Sequence, residues 1–113
     1  MEPVRLRFSM MNTKKVPFMN KQSLMLYLNG NLKNEPGWNA IEQEINERYT
    51  NTPDLGVEDL LYWLDESLYS TLGWKKKHEQ EDLPEKEAEE EKKAVLLQKA
   101  IDLLDAIQEA ERK

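Results

Sequence analysis

Residues 57–74 read VEDLLYWLDESLYSTLGW. Val57, Leu60, Leu61, Leu64, Leu68 and Leu72 recur at steps of one, three and four, which gathers them on one broad side of an α-helix. Gly73 follows the last of them, where a glycine commonly ends a helix, so the pattern predicts a helix closing there. A stripe this wide needs other helices to cover it. Tyr62 and Trp63 fall on its flanks and Tyr69 extends one edge, leaving aromatic groups outside the apolar centre.

Two neighbouring stretches supply covering helices. Trp38, Ile41, Ile45 and Tyr49 share a face in WNAIEQEINERY, while Glu42, Glu44 and Glu47 fill the others. Residues 21–34 read two ways: as a short helix with Leu24, Leu28 and Leu32 together and Gly30 at its end, or as a hairpin turning at Asn29-Gly30. The far arm of that hairpin is a poor strand, which favours the helix. Residues 85–93 are helix-favouring and almost wholly charged. An apolar seam then appears, with Leu96, Ala100, Leu103, Ile107 and Ala110 stepping 4-3-4-3 and Leu97, Ile101 and Leu104 widening it. About two heptads are too few for an independent coiled coil, so the seam is expected to pack back on the other helices. A homodimer through residues 94–110 is the alternative use.

At the other end, PVRLRFSM (residues 3–10) alternates Val4, Leu6, Phe8 and Met10 with Arg5, Arg7 and Ser9, the pattern of a half-buried strand. The expected fold is therefore mainly α: a small bundle of three to four helices with a short N-terminal strand element and a long charged C-terminal helix. Its expected organisation is a strand-plus-helix core over 1–74, a charged connector over 75–84 and a C-terminal helix over 85–113.

Composition narrows the function classes. The 113 residues are 39% hydrophobic and 34% charged, against averages of roughly 45–50% and 25%, so much of the helical surface must be solvated. There is no cysteine, which removes disulfides, thiolate metal sites and cysteine nucleophiles together. No apolar run reaches the ~18 residues of a membrane span, and no apolar stretch follows the first arginines as in a signal peptide. A cytoplasmic protein without membrane contact is expected. The net charge of −6 is segregated. Residues 1–22 hold five cations against one carboxylate, and residues 23–73 hold two against nine.

No catalytic constellation is present. His78, the one histidine, sits among lysines and glutamates with no nucleophile placed beside it. Glu87, Glu89, Glu90 and Glu91 point around a helix and cannot converge on one ion. No glycine-rich phosphate loop occurs. No catalytic residue, metal ligand or cofactor is assigned.

The expected role is a non-catalytic protein-binding module: an adaptor, inhibitor or regulator of a protein target. Chains of this composition are frequent among phage and mobile-element proteins. Its expected contacts are Tyr62, Tyr69 and Trp74, since tyrosine and tryptophan are favoured at interfaces, together with Glu58, Asp59, Asp65 and Glu66. The alternative is a nucleic-acid role. Either Arg5, Arg7, Lys14 and Lys15 reach phosphates, or acidic side chains on the central helices imitate them. A structural oligomer subunit is the third class.

Overall fold

The computed structural model describes residues 20–112, and among them it contains four helices and no strand. These are α1 (Lys21–Leu32), α2 (Trp38–Arg48), α3 (Val57–Gln80) and α4 (Pro84–Arg112). The strand expected over residues 3–10, with Arg5, Arg7, Lys14 and Lys15, lies outside the described residues.

Residues 21–34 resolve in favour of the helix. Asn20 caps α1, its side-chain oxygen accepting from the Ser23 backbone N–H at 2.8 Å. The Lys21 N–H donates to the Pro53 carbonyl at 3.0 Å, which fixes the start of α1 beside the loop leading into α3. Leu24, Met25, Leu28 and Leu32 are buried, and the helix runs through Gly30 rather than ending there. The turn into α2 depends on Gly37, whose φ of 94° lies in the left-handed region. A Cβ at Gly37 would also stand 3.3 Å from a Leu96 methyl group, so strain and crowding both favour glycine.

Trp38 opens α2 and is almost fully buried, as its place in the apolar pattern implies. Its ring N–H donates to the Asn29 side-chain oxygen at 2.7 Å, and the Asn29 amide donates to a Glu42 carboxylate oxygen at 2.8 Å. The relay gives a buried indole the partner it needs. Tyr49 ends α2, packs against the core and donates a long 3.5 Å bond to the Asp59 carbonyl of α3.

α3 departs from expectation at its end. It does not stop at Gly73 but continues to Gln80, so most of the expected connector over 75–84 is helix. The true stop is a pair of nested hydrogen bonds. Leu83 N–H donates to the His78 carbonyl at 2.9 Å and Asp82 N–H to the Glu79 carbonyl at 3.2 Å. Asp82 takes the left-handed conformation, φ 58°, that glycine more often supplies. Pro84 then starts α4, a first-turn position where its missing N–H removes no helix bond. The result is an antiparallel hairpin of two long helices, about 36 and 43 Å at 1.5 Å per residue.

α4 packs back on the chain's own core. Leu97, Ala100 and Leu104 have no exposed surface, and Leu96, Ile101 and Ile107 are buried beside them. They join Leu24, Leu28, Trp38, Ile41, Ile45, Leu60 and Leu64 in one continuous cluster. The seam is rotated slightly from its expected line, since Leu103 is half-buried and Ala110 exposed. Ion pairs of α4 reach across the bundle: Lys93 to Glu44 of α2 at 3.1 Å and Lys99 to Glu35 of the α1–α2 turn at 3.0 Å. Each is surface-exposed enough to contribute at most about 1 kcal/mol. Burial of the seam dominates.

Leu97→Ala should therefore lower unfolding free energy by about 3 kcal/mol in a urea titration. A chain ending at residue 83 should lose its cooperative thermal transition by circular dichroism. Unchanged melting in either would remove α4 from the core.

Candidate functional site

The expected contact residues all lie on α3, and all are exposed. At 100° per residue, the buried side of α3 centres on Leu61, Leu64 and Leu68, and the opposite side faces solvent. Tyr69 is 84% exposed and Tyr62 66%, with Glu58 and Asp65 on the same line. Leu72, expected in the core stripe, is 47% exposed and joins this line instead.

Trp74 and Glu66 belong to a neighbouring surface. Trp63, Ser67, Ser70 and Trp74 step 4-3-4 along the side of α3 between its buried and outermost faces. With Glu66 and Thr71, and with Glu44, Glu90 and Lys93 from α2 and α4, they line an open groove of about 360 Å³. Trp63 packs partly on the core, whereas Trp74 is half exposed. The Lys77 ammonium sits 5.0 Å from the Trp74 ring centre, and the His78 ring stacks on it with centroids 5.8 Å apart. Trp74 is legible in the sequence as a contact residue, whereas the groove is not. Its signal was available as the second 4-3-4 series, masked by two serines that no apolar count includes.

The acidic residues are placed unequally. Glu58, Asp59, Asp65 and Glu66 stand exposed along the first half of α3. On α2, Glu42 accepts from Asn29 and Glu44 pairs with Lys93, so these two are engaged within the chain. Hydrogen bonding to the Glu66 carboxylate, and then its charge, raise the Tyr62 pKa above the ordinary tyrosine value. Tyr49 is raised too, first by burial and then by Asp59 and Glu66, with Arg48 opposing. Beyond the groove, Lys75 pairs with Glu91 at 3.1 Å, joining the distal parts of α3 and α4.

Among the described residues no group of three or more histidine, aspartate or glutamate side chains is placed to hold a metal ion. No helix among them is long and apolar enough to cross a membrane. Comparison of the chain with protein-family models, curated proteins and solved structures finds no match in any of the three. The chemistry of the α3 surface is the basis for a functional reading.

The hydrogen bond from Tyr62 stabilises its protonated form in the folded chain. That contribution is complete below the unfolded tyrosine pKa and is lost as pH rises through the higher folded value. In an NMR titration, Glu66→Gln should lower the Tyr62 midpoint. An unmoved midpoint would show that the pair is not formed.

Proposed function

We propose that this chain is a non-catalytic interaction protein that occupies a surface on a protein target. Its contact face is the solvent side of α3 with the adjoining tryptophan groove. One observation carries the reading: four large apolar side chains of a single helix, Tyr62, Tyr69, Leu72 and Trp74, stay exposed beside a well-filled core. Scattered exposed apolar residues are ordinary on a soluble surface, but Tyr62, Tyr69 and Leu72 share one flank of α3, and such a cluster rimmed by charge favours an interface. Tyrosine and tryptophan suit that use because each buries a large area while few rotamers are lost. In the groove, Glu66 and Glu90 lie beside the indoles, which suits a basic side chain of the target.

Imitation of DNA is less well supported, because Glu42 and Glu44 on α2 are already engaged by Asn29 and Lys93 and do not extend the acidic row. Salt separates the two readings. Charge-based binding falls steeply as ionic strength rises, whereas aromatic anchoring persists.

The test is capture from nuclease-treated lysate of the source cells with tagged protein, at low salt and at about 0.5 M, where the Debye length is only a few ångströms. One partner retained at high salt is expected. Trp74→Ala should lower its yield at least tenfold, and alanine at Glu58, Asp59, Asp65 and Glu66 together should lower it less. Retention confined to low salt, or yields unmoved by Trp74→Ala, would overturn the proposal.

A further inference from the structure

Glu58, Tyr62, Asp65, Tyr69, Leu72 and Lys76 follow one another at steps of 4-3-4-3-4 along the outside of α3. All six are exposed. This is the spacing with which one helix meets another along a coiled-coil seam. α4 places its own seam in the core, whereas this one faces no described helix.

Gly73 adds a second observation. It lies in the interior of a 24-residue helix, where glycine destabilises by roughly 0.5–1 kcal/mol relative to alanine. A Cβ added there would meet nothing within 4 Å, so packing among the described residues does not demand a glycine. Its bare backbone sits on the outer face, one residue from Leu72 and four from Tyr69. A stretch without a side chain on that face admits close approach by another molecule.

The charges along α3 say which molecule. On the stripe itself Glu58 and Asp65 precede Lys76, while off it Lys75 is engaged by Glu91 and Glu79 adds a carboxylate to the second half. A basic segment of another protein would complement only the first half. A parallel copy would set like charge against like. An antiparallel second copy sets Asp65 against Lys76 twice, as a two-fold interface requires of a single repeated surface.

We infer that the outer stripe of α3 pairs antiparallel with the same stripe of a second copy, about a two-fold axis between Tyr69 and Leu72. This rests on the reading of the α3 solvent side as a binding face and names its occupant. In this register Tyr69 packs on Leu72 of the partner subunit, with its ring over Gly73 of the partner subunit. Asp65 meets Lys76 of the partner subunit, and each contact occurs twice. A tyrosine covers about 150–250 Å² when buried, so the stripe and its flanks bury on the order of 1,000 Å² in total. That is the low end for a specific dimer and corresponds to reversible association. The tryptophan groove lies to one side of the stripe and stays open on both copies.

The test is sedimentation equilibrium of the full chain from about 5 to 500 μM, a range suited to weak association. The average mass is expected to rise from 13.3 kDa toward twice that value. Tyr69→Ala, Lys76→Glu and Asp65→Lys should each weaken association about tenfold without changing helix content. Combining Asp65→Lys with Lys76→Glu in one chain should restore it, because opposite charges then meet again across the axis. A mass of 13.3 kDa throughout, indifference to Tyr69→Ala, or failure of the double variant to recover would overturn the self-pairing. A monomer whose Tyr69→Ala variant still loses a captured protein would overturn self-pairing alone. A Tyr69→Ala variant unchanged in both mass and capture would overturn the self-pairing and remove the outer stripe from the proposed contact face.

Discussion

Leu97, Ala100 and Leu104 meet the leucines of α3 in the centre of the bundle, and every other element is arranged around that contact. α1 and α2 are twelve and eleven residues long, too short to be stable helices in water alone. They hold because the α3–α4 pair offers an apolar surface on which Leu24, Leu28, Ile41 and Ile45 can be buried. The polar links follow from that placement. The Trp38–Asn29–Glu42 relay and the Lys93–Glu44 pair form where packing has already brought the helices together.

The same contact assigns the surfaces. Turning its leucines inward obliges α3 to turn Tyr62, Asp65 and Tyr69 outward, because a helix at 100° per residue cannot bury both sets against one neighbour. The intermediate side then faces neither fully in nor fully out, and there Trp63 and Trp74 border the groove. Core, outer stripe and groove are three readings of a single helix.

Periodicity made the core legible before any coordinates: Ile41, Ile45, Leu60, Leu64, Leu97 and Leu104 lie where their spacing places them. The boundaries were less legible, for a common reason. Gly30 and Gly73 look like stop signals, yet both are helical, since packing outweighs a penalty of roughly 1 kcal/mol. The actual stop uses Asp82, whose left-handed conformation depends on carbonyls at His78 and Glu79 and leaves no compositional mark. Exposure of Leu72 was hidden similarly. Its spacing matches the buried stripe, yet the side chain stands half exposed at the edge of that stripe. The site residues were legible as exposed side chains of one helix, but their division between stripe and groove needed the position of α4.

The far end of the α3–α4 hairpin is built differently from the rest. Beyond Leu68 and Ala94 it contains few apolar contacts, an exposed Lys75–Glu91 pair, and a buried His78 Nδ1 without a hydrogen-bond partner. Local opening there forfeits little buried area and hydrates that nitrogen, so its free energy lies below that of global unfolding. Amide protons near residues 75–90 would then exchange through fraying of the tip while those around Leu60 and Leu104 wait for the whole bundle to open. One continuous pair of helices thus joins a bundle with a filled core to a tip that has little buried area to lose on opening.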